Sequence, residues 1–318
     1  MAIFYNPDIK LGCHIGKLPT YEKTFSFIQK EAPHLSAYQL YVANSRSFTS
    51  PKFELKDLLR GRKLIAKNET FCVIHGSLTH NLCGCSKGPT EPKYPFLLSS
   101  TITKLRAELD IALALGINGV VVHFGTEVNK DRGKKRMGLS LSEVLRTETP
   151  EIVELSKEIA VSVKDLLRSR RIILENSAGE GNDLGWDLKE VAEIISLVQE
   201  KEQLDLCIDT AHTFAAGVYD LREKKGIDEL YEELKKLGLL KRLVCFHFND
   251  SKKVFGSRVD RHESLTRGEI WSERVKAFCH FISRAEKHKI PLICEPPKDG
   301  DGLEEFETVR EKYPRLCL

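Results

Sequence analysis

The chain has 318 residues, 41% apolar and 30% charged, with 12 prolines, 21 glycines and nine cysteines. That length buries a substantial core, which excludes a disordered chain. No apolar run approaches the roughly 20 residues of a membrane helix, and residues 1–7 lack the basic and apolar regions of a secretory leader. Lys plus Arg total 49 against 46 Asp plus Glu, +3 with neutral histidine, a balance that decides nothing about nucleic acid because a polyanion reads a basic patch rather than a total. A soluble, intracellular protein is expected, with reduced thiols because the cysteine count is odd and the cysteines scatter from Cys13 to Cys317.

In chain order, short runs rich in Val, Ile, Leu or Cys fall at residues 11–14, 37–42, 71–75, 117–123, 171–175, 204–209, 243–247 and 290–295. They are continuous rather than alternating, as strands buried on both faces are. The segments between them carry helix signals. Residues 104–115 place Leu105, Leu109, Ala112 and Leu113 on one face before Gly116. Thr149-Pro150 reads as an N-cap with proline at the first helical position, and Asp187 with Glu190 three residues on reads as a capping box. Residues 227–237 repeat the pattern and end at Gly238. Eight strands alternating with helices predict a closed parallel (β/α)8 TIM barrel, an α/β fold in one domain over residues 1–318, with an open doubly wound sheet as the alternative. Arg168, Arg170 and Arg171 precede a strand and are expected on the opposite end as solvated side chains. Cys72, Cys207, Cys245 and Cys294 are expected in the core, whereas Cys83-Gly84-Cys85 reads as a polar loop pair open to a redox role.

What ends these runs is more specific than the runs. His75, His123, Glu175, Asp209, His247 and Glu295 each stand at or beside the C-terminal end of one, and His14 ends the first. In a parallel barrel those ends meet on the face that carries active sites. Carboxylates gathered there repel one another and resist desolvation unless cations neutralise them. Imidazole and carboxylate without thiolate suit zinc, manganese or iron(II). Two pairs extend the set: Asp209 and His212 are one helical turn apart, and Asp260 and His262 share one side of an extended segment.

Gly12-Cys13-His14-Ile15-Gly16, the segment opening Leu174-Glu175-Asn176, the segment Cys207-Ile208-Asp209-Thr210-Ala211-His212, Phe246-His247-Phe248-Asn249-Asp250, and Gly256-Ser257-Arg258-Val259-Asp260-Arg261-His262 resemble the endonuclease IV family of apurinic/apyrimidinic endonucleases, in order over most of the chain. The resemblance implies three zinc ions per chain, with manganese able to replace zinc in part. One would be held by His75, His123 and Glu175; a second by Glu175 as a bridge with Asp209, His247 and Glu295; a third by His212, Asp260 and His262. It further implies a zinc-dependent hydrolase of base excision repair acting as a monomer on double-stranded DNA. Such an enzyme cuts the phosphodiester 5′ to an abasic site, leaves a 3′-hydroxyl and a 5′-deoxyribose phosphate, and clears blocked 3′ ends, with Glu175 and Glu295 as the catalytic carboxylates.

Arg46 matches the family's arginine that inserts into DNA at the lesion. After His75, where the family commonly has an aromatic-aliphatic wedge, this chain offers Leu78-Thr79-His80, and Thr266-Arg267-Gly268 has threonine where glycine is usual. Residues 87–99 read as a local elaboration. Lys130, Arg132, Lys134, Lys135 and Arg136 follow the fourth strand and, with Lys252, Lys253, Arg258, Arg261 and Arg267, are expected to line a phosphate track. His14 is expected to support the metal ligands or face DNA. Two rival functions share these features: a sugar isomerase or epimerase on a related two-metal barrel, and a non-catalytic binder of damaged DNA. The third-metal set and the basic loops separate the endonuclease from the first, complete ligands from the second.

Overall fold

Every predicted apolar run forms a strand in the computed structural model, which describes residues 10–33, 35–67, 70–84, 95–295 and 297. The barrel strands are β1 (Leu11–His14), β2 (Ala37–Leu40), β3 (Phe71–His75), β4 (Val120–His123), β5 (Ile172–Glu175), β6 (Leu204–Asp209) and β7 (Leu243–His247), followed by a two-stranded hairpin of β8 (Asp250–Ser251) and β9 (His262–Glu263) and the last barrel strand, β10 (Leu292–Cys294). Between them run α1 (Tyr21–Glu31), α2 (Leu55–Ile65), α3 (Pro95–Leu115), α4 (Lys130–Arg146), α5 (Pro150–Ile159), α6 (Val163–Ser169), α7 (Leu188–Leu197), α8 (Thr210–Ala216), α9 (Lys224–Lys236) and α10 (Val275–Lys287). The eight barrel strands pair in parallel and close in sequence order, β10 returning to β1. The open-sheet alternative is thereby excluded.

Two apolar layers hold the barrel. Ala37, Phe71, Val73, Val121, Ile173, Cys207, Cys245 and Ile293 form a cluster of their own, while the larger core lies with the helices. Gly12 lets β1 approach β2 closely, since a Cβ there would meet the Ala37 carbonyl oxygen. Parallel register then sets His123 beside Glu175 and Asp209 beside His247, so adjacent strands deliver candidate ligands as neighbours.

Several local expectations change. α3 starts at Pro95, earlier than the clean amphipathic stretch at residues 104–115. Thr149 caps α5 as expected, accepting from the Ile152 N–H at 3.2 Å. Asp187 caps α7, but Glu190 does not complete a capping box; its carboxylate accepts from the Gly185 N–H at 2.6 Å, tying α7 to the loop after β5. Cys83 is fully buried with its thiol toward the Phe124 carbonyl, which removes it as a surface redox group; Cys85 and residues 87–94 lie outside the described residues. Arg170 is not solvated: it is wholly buried, pairs with Asp110 at 2.7 Å and donates to the Val144 and Thr147 carbonyls. It therefore pins α4, α3 and the start of β5 together at the end of the barrel remote from the metal-competent face. Arg170→Met would leave Asp110 buried without its partner, and unfolding in urea should show a loss of about 3–5 kcal/mol.

Candidate metal centre

His75, His123, Glu175, Asp209 and His247 end β3, β4, β5, β6 and β7, and Glu295 follows β10. His212 lies in the first turn of α8, where Asp209 acts as N-cap and accepts from the His212 N–H at 2.8 Å, so one cap positions two candidate ligands. His262 enters from β9, with Asp260 two residues before it. The hairpin that presents them is anchored by Asp250. Its buried carboxylate accepts from the N–H groups of Ser251, Thr266, Gly268 and Ile270 at 2.9–3.1 Å.

Glu175 occupies the middle. Its Oε2 lies 3.5 Å from His75 Nε2 and 3.6 Å from His123 Nε2, while its Oε1 lies 2.9 Å from His247 Nδ1. Each oxygen thus faces a different set of donors, as a bridging carboxylate must. Glu295 Oε2 lies 3.3 Å from His247 Nδ1. Asp260 Oδ1 lies 3.3 Å from both His212 Nε2 and His262 Nε2, and Asp209 Oδ2 lies 3.6 Å from His262 Nε2. Ligand-competent atoms gather into the sets His75/His123/Glu175, Glu175/Asp209/His247/Glu295 and Asp209/His212/His262. Eight of the nine side chains that the sequence singled out for metal fall in these sets; Asp209 takes the place expected for Asp260 in the third, and Asp260, its side chain 44% exposed, stands beside it.

The donors fit divalent metal by an independent criterion. His75 Nδ1 donates to the Gly76 carbonyl at 2.8 Å, His212 Nδ1 to the Asn176 carbonyl at 2.8 Å, and His247 Nε2 to Gln39 Oε1 at 2.9 Å. Each contact fixes one ring nitrogen on an outer acceptor and leaves the other aimed inward, the arrangement of a metal-ligating histidine. Glu175 Oε2, His212 Nε2 and His262 Nε2 are buried with no hydrogen-bond partner. Buried polar atoms are rarely left so unless something else satisfies them.

The electrostatics match. Burial alone would raise Glu175, but His247 and His123 outweigh it and hold its carboxyl well below the ordinary range. Glu295 is lowered in the same way by His247 and His75, and Asp260 by His212 and His262. Burial would lower the histidines, yet the carboxylates raise His75, His212, His247 and His262; only His123, where burial wins, is lowered.

A cavity of about 800 Å³ opens above these groups, walled by His14, Tyr41, Arg46, Leu78, Lys252 and Arg261 among others. His14 packs 4.6 Å from the Tyr41 ring, and burial lowers it to about 4 against the opposing pull of Glu295. Arg46 is exposed, and Leu78 is an exposed apolar side chain at the rim. The remaining basic candidates sit differently. Because Asn129 caps α4, the stretch from Lys130 is helix rather than loop. Lys130 donates to the Asn182 and Asp183 carbonyls, Arg132 pairs with buried Glu127 at 2.7 Å, and Lys134 pairs with Asp131 and Glu193. Lys135, Arg258 and Arg267 are exposed, Arg258 lying 4.7 Å over the Trp186 ring.

Sequence reasoning missed Gln39 and Asn249. Gln39 is fully buried, accepts from His247 and donates to Glu295; Asn249 donates to Asp209 at 2.5 Å and to Glu295 at 3.0 Å. The available signal for Gln39 was a lone amide inside an apolar strand.

A profile of the xylose isomerase-like TIM barrel family matches residues 35–313. An endonuclease 4 of Acanthamoeba polyphaga mimivirus is 30% identical over 288 residues, covering 88% of this chain and 84% of its own, and one of Symbiobacterium thermophilum is 31% identical over 293 residues, covering 91% and 93%. In structure, endonuclease IV of Thermus thermophilus superposes with a TM-score of 0.70 at 23% identity over 95% of this chain and 99% of the other. No helix among the described residues is long and apolar enough to cross a membrane. Barrel, strand-end residues and relatives agree, and the chain belongs to the endonuclease IV family, the DNA-repair endonucleases.

Proposed function

We propose that the chain is a zinc-dependent apurinic/apyrimidinic endonuclease, a single-domain monomer that hydrolyses the phosphodiester on the 5′ side of an abasic nucleotide and clears blocked 3′ ends. The observation that carries this reading is the centre itself, eight metal-competent imidazole and carboxylate groups with Glu175 at their middle and Asp260 beside them, beneath an open cavity. His75, His123 and Glu175 would hold one zinc, Glu175, Asp209, His247 and Glu295 a second, and His212, Asp260 and His262 a third. Bound zinc, replaceable in part by manganese, stabilises charge developing on phosphate oxygens and makes hydroxide available at neutral pH.

The chain's own residues do the rest. Glu175 fixes the spacing of the two inner sites. The Glu295 side chain, 14% exposed where Glu175 is 1%, borders the cavity and receives a proton from the attacking water at its carboxylate. Gln39 and Asn249 hold that carboxylate in place from behind. A stacked duplex cannot enter a cavity of this size, so the scissile phosphate must be presented extrahelically, which costs least where no base is stacked. Arg46 enters the duplex at the lesion and Leu78 fills the space left behind, less well than an aromatic ring. Arg261 and Lys252 meet phosphates at the rim, and Lys130, Arg132, Lys134, Lys135, Arg258 and Arg267 extend the track beyond it. Products are a 3′-hydroxyl and a 5′-deoxyribose phosphate.

Metal-replete protein should incise a duplex containing one tetrahydrofuran abasic analogue on the 5′ side of the lesion and carry about three zinc ions by elemental analysis; absence of incision, or one zinc per chain, counts against the reading. Glu175→Gln should lose incision by on the order of 100-fold or more, since it removes the shared charge between two sites, and a near-normal rate would deny it the bridging role. In the metal-free chain His247 and His262, raised to about 10 and about 9, carry protons at pH 7 that zinc must displace. Calorimetric zinc titrations in buffers of different ionisation enthalpy should therefore show net proton release, with affinity falling as pH is lowered.

A further inference from the structure

Lys104 lies outside the metal chemistry, on a helix none of whose described side chains lines the cavity, yet it is only 1% exposed. A lysine normally keeps its ammonium in water because desolvating it is costly. Here Nζ donates to the Asn44 carbonyl at 3.1 Å, to the Ser47 carbonyl and to Ser77 Oγ at 2.8 Å, so three N–H donors meet three acceptors. Two acceptors belong to the loop after β2 that carries Arg46, the third to the loop after β3 that carries Leu78. The two loops also bond directly: the Leu78 N–H donates to the Ser45 carbonyl at 2.8 Å, Ser77 Oγ to the same carbonyl at 2.8 Å, and Thr79 Oγ1 to the Ser47 carbonyl at 3.2 Å. One turn further along α3, buried Glu108 accepts from His80 Nε2 at 2.7 Å and so secures the far side of the Leu78 loop.

We infer that Lys104 is a positioning residue for lesion engagement, clamping the Arg46 loop and the Leu78 loop to α3 as one block so that both tips enter the duplex together. This rests on the reading above that the two tips contact DNA. Independent loops would each have to be ordered when DNA binds, whereas a preassembled block has already met that entropic cost on folding. A compact ammonium suits the task because its three donors diverge toward acceptors on separate strands of chain, which a planar guanidinium fork does not match. Lys104 touches neither cavity nor candidate ligand, so the effect belongs to substrate engagement rather than to the hydrolytic step.

Lys104→Met keeps the side-chain length and removes the donors. In the metal-loaded variant the KM for the tetrahydrofuran duplex should rise at least tenfold with kcat within threefold. Hydrolysis of bis(p-nitrophenyl) phosphate, a diester too small to need the loops, should stay within twofold. Amide exchange at Leu78 and Ser47 should quicken while the barrel strands remain protected. In an Arg46→Ala/Leu78→Ala background, adding Lys104→Met should cost the duplex reaction less than twofold, since no tips are left to position. Unchanged KM, unchanged loop exchange, or equal losses on duplex and small diester would each overturn the inference. If Lys104→Met does not fold, Lys104→Arg makes the same comparison, and a normal KM there overturns it. Should the Arg46→Ala/Leu78→Ala protein engage the duplex normally, the reading of the tips is what fails; loop-selective exchange in Lys104→Met then still supports the clamp, and its absence overturns it.

Discussion

One electrostatic constraint governs the mouth of this barrel: four carboxylates and five imidazoles, most of them buried, share one cavity floor. Left to themselves the carboxylates repel, and the compensation the protein itself offers is protonation of the histidines between them, which is why four of those rings are raised against the opposing pull of burial. A protonated imidazole has no lone pair to offer. Protons and metal ions therefore compete for the same seats, and the outer hydrogen bonds favour metal. With one nitrogen of His75, His212 and His247 already committed to Gly76, Asn176 and Gln39, each ring presents a single inward nitrogen, and a divalent cation brings to that point more charge than a proton.

The barrel makes this crowding affordable because the cost is spread over rigid elements. Parallel register sets neighbouring ligands side by side at fixed strand spacing, so none depends on a mobile loop for its lateral position. The hairpin with Asp260 and His262, which lies outside the barrel sheet, is stiffened by a different device. Asp250 gathers backbone N–H groups from residues 251–271 around a buried carboxylate, and Gly268 fits there because a Cβ would strike that same carboxylate. Arg170 at the opposite end and Asp250 at the mouth solve one problem in two ways: a buried charge satisfied by an opposite charge, and a buried charge satisfied by amide dipoles.

The strands and their terminal ligands were readable in the sequence because both signals are local. A buried parallel strand must be apolar throughout, so a histidine or carboxylate at its end has no packing reason to be there. Asp209 and His212, and Asp260 and His262, were readable for the same reason, since one turn of helix and two residues of strand fix direction by themselves. What escaped depends on which of several available partners a side chain takes, and spacing along the chain does not decide that. Arg170 looked like one of three surface arginines because its partner Asp110 lies 60 residues earlier. Glu190 has the spacing of a capping box but turns to Gly185, a choice made by the loop and not by the helix. The basic run from Lys130 is expected as a free patch after the fourth strand. Asn129 converts it to helix, and Glu127 and Glu193 take up part of its charge.

The last step concerns what separates this chain from sugar-converting enzymes on the same kind of barrel, since a xylose isomerase-like match and a closed parallel sheet are common to both. A free sugar is small and neutral, and a site for it gains by closing over the substrate and removing water. Here the cavity stays open, and its rim presents arginine and lysine beside an exposed leucine, side chains that would be poor company for a sugar hydroxyl. Their positive charge suits instead the phosphates of a polyanion such as DNA. The net charge of +3 conceals this division, because the few charges of rim and floor are a small part of 49 basic and 46 acidic side chains. The loops after β2 and β3 and the β8–β9 hairpin carry these rim residues above the metal-competent floor.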